Sequence, residues 1–209
     1  MSLFVTFEGP EGCGKTTQVR LLRDWLSARG HDVLATREPG GTHIGDQIRQ
    51  ILLDPKHTEM CPATEILLFS AARAQIVGQI LRPHLERGGI VLCDRFADST
   101  LAYQGYGLGL DLDVLRAITG FATGGLAPDV TFYLDLPAEE GLRRKAGADR
   151  GEWNRMERKR LEYHQRVIRG YRELARQEPA RWVVLDATQE VETIQRAIRE
   201  EVRRRLGHD

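Results

Sequence analysis

Residues 9–17 read Gly-Pro-Glu-Gly-Cys-Gly-Lys-Thr-Thr and follow the apolar run Leu3-Phe4-Val5-Thr6-Phe7. The spacing is that of the phosphate-binding loop G-x-x-x-x-G-K-[ST], in the strand-to-helix setting that the motif requires. Its three glycines allow successive backbone N–H groups to point into one hollow, at the positive N-terminus of the next helix. Lys15 can reach the β- and γ-phosphates, and the Thr16 hydroxyl can ligate Mg²⁺. The motif therefore predicts binding of a nucleoside triphosphate with Mg²⁺.

The composition restricts the partners of the chain. Its 209 residues suit one domain with a substantial core. Thirty Lys and Arg residues balance thirty Asp and Glu residues, so the overall charge does not favour a nucleic-acid partner. No apolar run is long enough to span a bilayer, and the N-terminal sequence is not of the signal-peptide type. Three widely spaced cysteines indicate free thiols. We therefore expect a cytoplasmic protein without a membrane partner.

Short apolar runs alternate with helical patterns along the whole chain. Strands are predicted at residues 3–7, 32–36, 90–93, 130–134 and 182–185. Helices are predicted at residues 15–29, 45–53, 63–87, 112–121, 138–145, 154–176 and 191–206. This alternation predicts a single α/β domain over residues 1–209, with a five-stranded parallel sheet flanked by helices. Ligands of such sheets bind beyond the carboxyl ends of the strands, so the residues that follow each strand are the site candidates.

The second predicted strand is followed by Thr-Arg-Glu-Pro-Gly-Gly-Thr at residues 36–42. Pro39 and its neighbouring glycines predict a rigid turn, and the sequence does not decide whether the proline peptide is cis. Arg37 would then point into the cleft, where its forked donors suit a phosphate. The alternative is a plain turn with a surface arginine.

The third predicted strand ends in Cys93-Asp94-Arg95-Phe96. An Asp at this position in a phosphate-loop protein is placed to orient Mg²⁺, directly or through water. Arg95 offers a second forked donor for a phosphate. A salt-bridged strand end is the alternative, and the phosphate loop favours the functional interpretation.

Two segments could bind a nucleobase and its sugar. The polar and aromatic stretch at residues 97–105 includes Thr100, Tyr103 and Gln104, which can hydrogen-bond a base edge or pack against a sugar. In the predicted helix at residues 65–75, Phe69 and Arg73 are four residues apart and share a face. They could stack on a base and bond its carbonyl, whereas the alternative is core packing for Phe69 and a solvated Arg73.

Basic residues are concentrated at residues 141–157, which we call the lid. Two glycines interrupt this segment and its apolar content is low, so it predicts a mobile flap rather than a packed helix. Arginines that close over transferring phosphates would stabilise charge and exclude water. The alternative is a solvated run of charge that binds RNA.

Together these motifs resemble the thymidylate kinase family of nucleoside monophosphate kinases. The segments that carry the resemblance, in the family's order and spacing, are residues 7–17, 36–42, 65–75, 94–105 and 128–135. The resemblance implies the P-loop nucleoside monophosphate kinase fold and transfer of the γ-phosphoryl group of ATP to dTMP in dTTP biosynthesis. It also implies Mg²⁺ as cofactor and a homodimer.

The resemblance further implies roles for individual residues. The ATP-binding residues would be Gly9, Pro10, Glu11, Gly12, Cys13, Gly14, Lys15, Thr16 and Thr17. The catalytic residues would be Lys15, Asp94, Arg95, Arg143, Arg144 and Arg150, and the metal ligands Thr16 and Asp94. The dTMP-binding residues would be Glu11, Arg37, Pro39, Phe69, Arg73, Arg95, Thr100, Tyr103 and Gln104. Among these, Glu11 would reach the 3′-hydroxyl, Phe69 would stack on thymine, and Tyr103 would crowd the 2′ position.

Two positions bear on the lid. Gly12 stands where some members of the family carry Arg, and the lid supplies the catalytic cation in the bacterial subtype. The family's Asp-Arg-x-Glu ending reads Asn-Arg-Met-Glu at residues 154–157, and residues 149–152 resemble it upstream. Which lid arginine meets the phosphates is therefore left open.

Three rival functions remain at this point. One is another nucleotide or deoxynucleoside kinase on the same fold, although Tyr103 with Arg73, Thr100 and Gln104 favours a deoxypyrimidine monophosphate. Another is a non-catalytic switch, which would need neither an acceptor pocket nor a cationic lid. The third is an RNA-binding protein that uses the basic stretch at residues 143–176.

Overall fold

The computed structural model describes residues 2–148 and 154–207. The strands are β1 (Leu3–Glu8), β2 (Val33–Arg37), β3 (Ile90–Asp94), β4 (Val130–Asp135) and β5 (Trp182–Asp186). The helices are α1 (Lys15–Ser27), α2 (His43–Leu53), α3 (Pro62–Ile76), α4 (Arg82–Glu86), α5 (Ala97–Thr100), α6 (Leu112–Thr123), α7 (Ala138–Ala148), α8 (Leu161–Gln177) and α9 (Val191–Arg205). Within these ranges, no helix is both long enough and apolar enough to cross a bilayer.

The strands of the described residues form one parallel sheet in the order β2-β3-β1-β4-β5. β1 lies at the centre, between β3 and β4. Asp94 is in register with Phe7 of β1 and with Arg37 of β2, so the carboxyl ends of these three strands lie side by side. The predicted five-stranded parallel sheet flanked by helices is confirmed.

Both faces of the sheet are buried at the central strands β1, β3 and β4, which explains why these strands are mostly apolar. Successive side chains of β1 point to opposite faces. Val5 and Phe7 pack in one core cluster with Leu22 of α1 and Ile198 of α9. Phe4 packs in another cluster on the opposite face, with residues of α3 and of the π-helical turn Val77–Leu81 that follows it. The two clusters hold β1 rigidly, and the phosphate loop follows its end.

One predicted helix begins later than expected. Helix α8 starts at Leu161, although the sequence predicted a helix from residue 154. The Asn154 side chain accepts hydrogen bonds from the N–H groups of Met156, at 2.9 Å, and Glu157, at 3.1 Å. Such side-chain bonds offer the backbone an alternative to the helix. Residues 154–160 consequently form turns rather than the first turns of α8.

The stretch that follows Arg95 is helical, although its sequence did not predict a helix. Helix α5 continues into the π-helical turn Leu101–Gly107. Glycines lower helix propensity, but Gly105 and Gly107 are needed here for packing. A Cβ atom at Gly107 would lie 2.7 Å from the Tyr163 ring, and one at Gly105 would collide with Leu112. Tertiary packing therefore overrides local propensity.

The first part of the lid is helical. Helix α7 contains the helix predicted at residues 138–145 and extends through Ala148. Glu140 forms ion pairs with Arg143, at 2.8 Å, and Arg144, at 2.7 Å, and pairs at this spacing support a helix. Residues 149–153 lie outside the described residues, so the prediction for Arg150 is not tested. The mobility of the lid likewise stays a prediction.

Candidate active site

A cavity of about 770 Å³ opens where β1, β2 and β3 end. Its volume is in the range of small-molecule sites. The structure brings most of the predicted site residues to its wall, namely Glu11, Gly12, Lys15, Thr16, Thr17, Arg37, Pro39, Phe69, Arg73, Asp94, Arg95, Thr100, Tyr103 and Gln104. Residues spread between positions 11 and 104 therefore meet around one volume.

The phosphate loop has the backbone that its glycines predicted. Gly9, Gly12 and Gly14 all have positive φ angles, of 144°, 70° and 94°. Gly14 caps α1, which begins at Lys15. The Lys15 ammonium is 7% exposed and donates hydrogen bonds to the carbonyl oxygens of Gly9, at 3.1 Å, and Pro10, at 2.8 Å. The loop therefore combines a helix N-terminus with a cation, both suited to phosphate.

The two predicted metal ligands are in direct contact. The Thr16 hydroxyl donates a hydrogen bond of 2.6 Å to Asp94 Oδ2. Among the described residues, no group of three or more His, Cys, Asp and Glu side chains could hold a metal ion without other ligands. One carboxylate and one hydroxyl suit Mg²⁺, because this ion usually keeps several waters and takes substrate phosphates as ligands. The residues present thus fit a metal that arrives with a nucleotide.

Arg95 is held in an uncommon backbone conformation at the floor of the cavity. Its φ angle is 71°, in the left-handed region, and its N–H donates to the Phe7 carbonyl at 3.0 Å. The guanidinium donates to the Tyr171 hydroxyl at 3.1 Å and to Glu11 at 3.2 Å. It also lies 4.8 Å from the Tyr103 ring centre. Strained residues of this kind cluster at functional sites, and these contacts fix the direction of the guanidinium.

Glu11 is a largely buried carboxylate within the loop. It accepts hydrogen bonds from the Tyr103 hydroxyl, at 2.7 Å, and from Arg95, and its Oε2 lies 3.5 Å from His164 Nδ1. Burial alone would raise its pKa, but the bond from His164 and the charges of Arg95 and Lys15 hold the pKa well below its usual range. Glu11 is therefore an ionised hydrogen-bond acceptor at neutral pH.

Glu8 is a site residue that the sequence analysis did not identify. It is fully buried, and its carboxylate accepts hydrogen bonds from the Phe96 N–H at 2.8 Å, the Ser99 hydroxyl at 2.6 Å and the Tyr171 hydroxyl at 2.8 Å. Burial and the neighbouring Asp98 raise the pKa of Glu8 to about 7. Ser99 and Tyr171 also contact the Arg95 guanidinium. Glu8 therefore helps to hold this guanidinium in place through the two hydroxyl groups. The signal that could have identified Glu8 in the sequence is its position, because it is an ionisable residue at the end of an apolar strand.

Two further cations lie on either side of the loop that follows β2. The Glu38–Pro39 peptide bond is cis. Arg37 is exposed, lines the cavity and makes no ion pair within the described ranges. Arg49 of α2, which the sequence analysis missed, also lines the cavity and donates to the Pro39 carbonyl at 2.8 Å. Burial and the charge of Arg37 lower the pKa of Arg49. Two cations held so close together favour an anion between them.

The opposite wall of the cavity is formed by α3. Phe69 is half-buried and lines the cavity together with Arg73. Arg73 is 2% exposed, so the alternative of a solvated arginine is excluded. Its guanidinium donates to Glu38 at 2.8 Å, to the Thr100 hydroxyl at 2.9 Å and to the Phe96 carbonyl at 3.1 Å. A ring and an oriented guanidinium therefore stand side by side on one helix face.

The amide of Gln104 belongs to a buried network beside this wall. Its nitrogen Nε2 donates to Glu65 Oε1 at 2.8 Å. The other oxygen of Glu65 forms an ion pair of 2.6 Å with Arg155. All three side chains are buried, at 2%, 2% and 8% exposure. The sequence analysis did not assign a role to Glu65, because its partners lie far away in the chain.

The lid arginines of α7 are not brought to the cavity. Arg143 is exposed and paired with Glu140, and Arg144 donates to Glu140 and to the Ala187 carbonyl at 3.0 Å. Their neighbour Lys145 lines the cavity instead. The catalytic role predicted for Arg143 and Arg144 therefore requires them to leave these partners.

The two ends of the cavity differ in chemistry. At one end, the loop with Lys15, Thr16 and Asp94 suits a triphosphate. At the other, an aromatic and guanidinium wall suits a base, and Arg37 and Arg95 provide cations for a second phosphate. Fold and site together define a nucleotide kinase of the P-loop class.

Comparisons with known proteins give the particular family. A family model described as thymidylate kinase matches residues 7–198. The thymidylate kinase of Roseiflexus sp. (strain RS-1) is 63% identical over 204 residues, which cover 93% of this chain and 90% of that protein. That of Deinococcus radiodurans is 55% identical and covers 89% of each chain. The crystal structure of thymidylate kinase from Ehrlichia chaffeensis has 32% identity and a TM-score of 0.78, over 97% of this chain and 98% of that one. The chain belongs to the thymidylate kinase family.

Proposed function

We propose that the cavity binds ATP and dTMP end to end, with the ATP phosphates in the loop and the dTMP phosphate beside Arg37 and Arg95. The reaction follows from family membership: ATP phosphorylates dTMP to dTDP, a step of dTTP synthesis. The observation that supports the arrangement is that one cavity joins the loop of Lys15 to the wall of Phe69 and Arg73. In-line transfer needs this alignment more than a strong base, because the acceptor phosphate is already an anion.

The cations of the site neutralise two anions that would otherwise repel each other. Lys15 reaches the β- and γ-phosphates of ATP, while Arg37 and Arg95 hold the acceptor phosphate. Because Arg95 is fixed by Glu11 and Tyr171, its donors are oriented before the substrate binds. Orientation in advance avoids reorganisation in the transition state, so binding and catalysis use the same contacts.

Mg²⁺ is the proposed cofactor. Thr16 and Asp94 would hold it, directly or through water, and the ion would screen the phosphate charges during transfer. The contact between the Thr16 hydroxyl and Asp94 supports this assignment, since both oxygens already lie at one point beside the loop.

The nucleoside of dTMP would lie between α3 and the π-helical turn Leu101–Gly107. Phe69 would stack on thymine, and Arg73 would donate to its O4. The ionised Glu11 would accept a hydrogen bond from the 3′-hydroxyl. Tyr103, whose hydroxyl is bound to Glu11, would occupy the space of a 2′-hydroxyl. The site would therefore select a deoxyribonucleotide.

We assign the additional catalytic charge to the lid. The loop carries Gly12, and so no cation, at the position where some members of the family have Arg. The lid arginines Arg143, Arg144 and Arg150 would supply that charge by closing over the phosphates. The exposure of Arg143 supports this role, because a weak surface ion pair is all that it would give up.

The assay that tests the proposed function is ADP release from ATP and Mg²⁺, with dTMP, dUMP, dCMP or no acceptor. We expect dTMP to stimulate release most, and removal of Mg²⁺ by EDTA to abolish it. ATP turnover that is indifferent to every acceptor would contradict the thymine site and would indicate a switch ATPase.

Replacing Phe69 by alanine is expected to raise KM for dTMP at least about tenfold, with kcat much less affected, because stacking binds the base in ground and transition states alike. Steady-state kinetics at saturating ATP measure both constants. Val184→Ala, an exposed side chain of β5 that does not line the cavity, is the control. An unchanged KM for dTMP in Phe69→Ala would place the thymine site elsewhere.

We further propose that the enzyme is a homodimer in the cytoplasm. Helices α3 and α6 pack against each other and carry exposed apolar side chains, including Leu67, Val114 and Phe121, the last 91% exposed. Such side chains mark association surfaces when they cluster. The three cysteines are free, which suits a reducing compartment. Light scattering on the purified protein measures the oligomeric state.

A further inference from the structure

We propose that Glu65 determines which pyrimidine the enzyme accepts, because it fixes the orientation of the Gln104 amide. Glu65 is thus a positioning residue that acts through its neighbour. The inference rests on the proposed thymine-binding role of Gln104 and adds the origin of its selectivity.

The hydrogen bond between the two side chains admits one orientation of the amide. Gln104 Nε2 lies 2.8 Å from Glu65 Oε1, and both side chains are 2% exposed. An ionised carboxylate can only accept hydrogen bonds, so the amide must turn its NH₂ group toward Glu65. Its carbonyl oxygen accepts no hydrogen bond from the described part of the chain and is left to the cavity that Gln104 lines.

Arg155 pairs with the other oxygen of Glu65. Arg155 Nη1 lies 2.6 Å from Glu65 Oε2, which leaves Oε1 for Gln104. Arg155 is itself anchored, because its Nε donates to the Leu52 carbonyl at 2.9 Å and its backbone N–H to the Leu53 carbonyl at 3.1 Å. A guanidinium that is buried and anchored in this way needs a negatively charged acceptor, because an unpaired buried charge is costly. Glu65 is that acceptor. The three side chains form a chain from Arg155 through Glu65 to Gln104, in which each oxygen of Glu65 has one partner.

The consequence for the base follows from its hydrogen-bonding pattern. Thymine and uracil carry N3–H, a donor that pairs with the Gln104 carbonyl oxygen. Cytosine has a lone pair at N3 and no hydrogen, so the same oxygen would face a second acceptor. A ligand that leaves buried polar groups unpaired in this way binds much more weakly. The chain of three side chains therefore favours thymine and uracil over cytosine, and it does not read the thymine methyl group.

The decisive variant is Glu65→Gln. Arg155 still demands an acceptor, so the new amide must give it the carbonyl oxygen and turn its own NH₂ toward Gln104. Gln104 must then reverse and present its NH₂ group to the cavity, where cytosine N3 can accept from it. We expect the ratio of kcat/KM for dTMP to that for dCMP to fall at least about tenfold. The ratio for dTMP to dUMP should stay at the wild-type value.

Both ratios are measured on one preparation, so the folded fraction cancels and a merely structural role would not change them. An unchanged ratio of dTMP to dCMP overturns the inference, as does an equal fall in both ratios. Gln104→Ala separates this inference from the proposed role of Gln104. If Gln104→Ala leaves KM for dTMP unchanged, that role fails and the inference fails with it. If KM rises but Glu65→Gln keeps wild-type selectivity, only the inference fails.

The double variant Glu65→Gln with Arg155→Met provides a second route should Glu65→Gln not fold, since it leaves no buried charge unpaired. Without Arg155, the amide at position 65 can turn either face to Gln104. The ratio of dTMP to dCMP is again expected to fall at least about tenfold, and wild-type selectivity in a folded double variant would overturn the inference.

Discussion

Replacing Lys15 by alanine is expected to lower kcat at least about a hundredfold, the equivalent of about 3 kcal/mol in the transition state. Lys15 lies within the loop and is only 7% exposed, so water screens its charge little. The interaction strengthens as negative charge develops on the transferring group, so the loss falls mainly on kcat rather than on KM for dTMP. ADP release at saturating ATP, Mg²⁺ and dTMP measures this effect.

The fold should survive this substitution, since the hydrogen bonds of the Lys15 ammonium join it to atoms of the phosphate loop itself, the carbonyls of Gly9 and Pro10 and the Cys13 sulfur. A thermal melt close to that of the wild type checks this point. Lys56→Ala is the matched control, because Lys56 is exposed and does not line the cavity. Near-native turnover by Lys15→Ala would contradict the proposed role of the loop.

Replacing Arg95 by alanine is expected to reduce kcat/KM for dTMP at least about a hundredfold. Its forked donors are proposed to hold the acceptor phosphate both before and during transfer, so KM rises and kcat falls together. Arg95→Lys keeps the positive charge but lacks the paired donors of the guanidinium, so it should recover only part of the activity. The saturation curve for dTMP measures both constants in each variant.

Arg116→Ala serves as the control for Arg95, because Arg116 lies in an exposed ion pair of α6. The melting temperature must be recorded as well, since Arg95 also pairs with the buried Glu11. A folded Arg95→Ala protein with wild-type KM and kcat would show that Arg95 supports the turn and does not bind the acceptor.

The strands and the loop could be predicted because their signals are local. Each strand is an apolar run, and the glycines of residues 9–17 fix the loop without help from the rest of the chain. Arg37, Asp94 and Arg95 could be predicted by one further step, since parallel strands end at a common edge. These residues all line the cavity that the structure shows.

The residues that sequence reasoning missed depend on contacts between distant segments. Glu8 meets partners that lie 88, 91 and 163 residues further along the chain. Glu65 is paired with Gln104, 39 residues further along the chain, and with the still more distant Arg155. A carboxylate on its own is typical of a solvated surface, so only tertiary structure reveals that it is buried and fully bonded.

The predicted ends of two helices, α7 and α8, were wrong for a related reason. Asn154 diverts the backbone into a turn, and the surrounding helical pattern hides that local preference. Helix α7 was predicted to end at residue 145, but it continues through Ala148, and the ion pairs of Glu140 with Arg143 and Arg144 support it.

The phosphate loop and helix α7 touch at Gly12 and Gly141, where neither has a side chain. A Cβ atom at Gly12 would collide with the Gly141 carbonyl, and one at Gly141 would collide with the Glu11 carbonyl. An arginine grafted at position 12, as some family members carry, therefore has no room while α7 keeps its place. In this chain, Gly12 and the position of α7 therefore depend on each other. Protein engineers who wish to place an arginine at position 12 of this enzyme must redesign the start of α7 together with the loop.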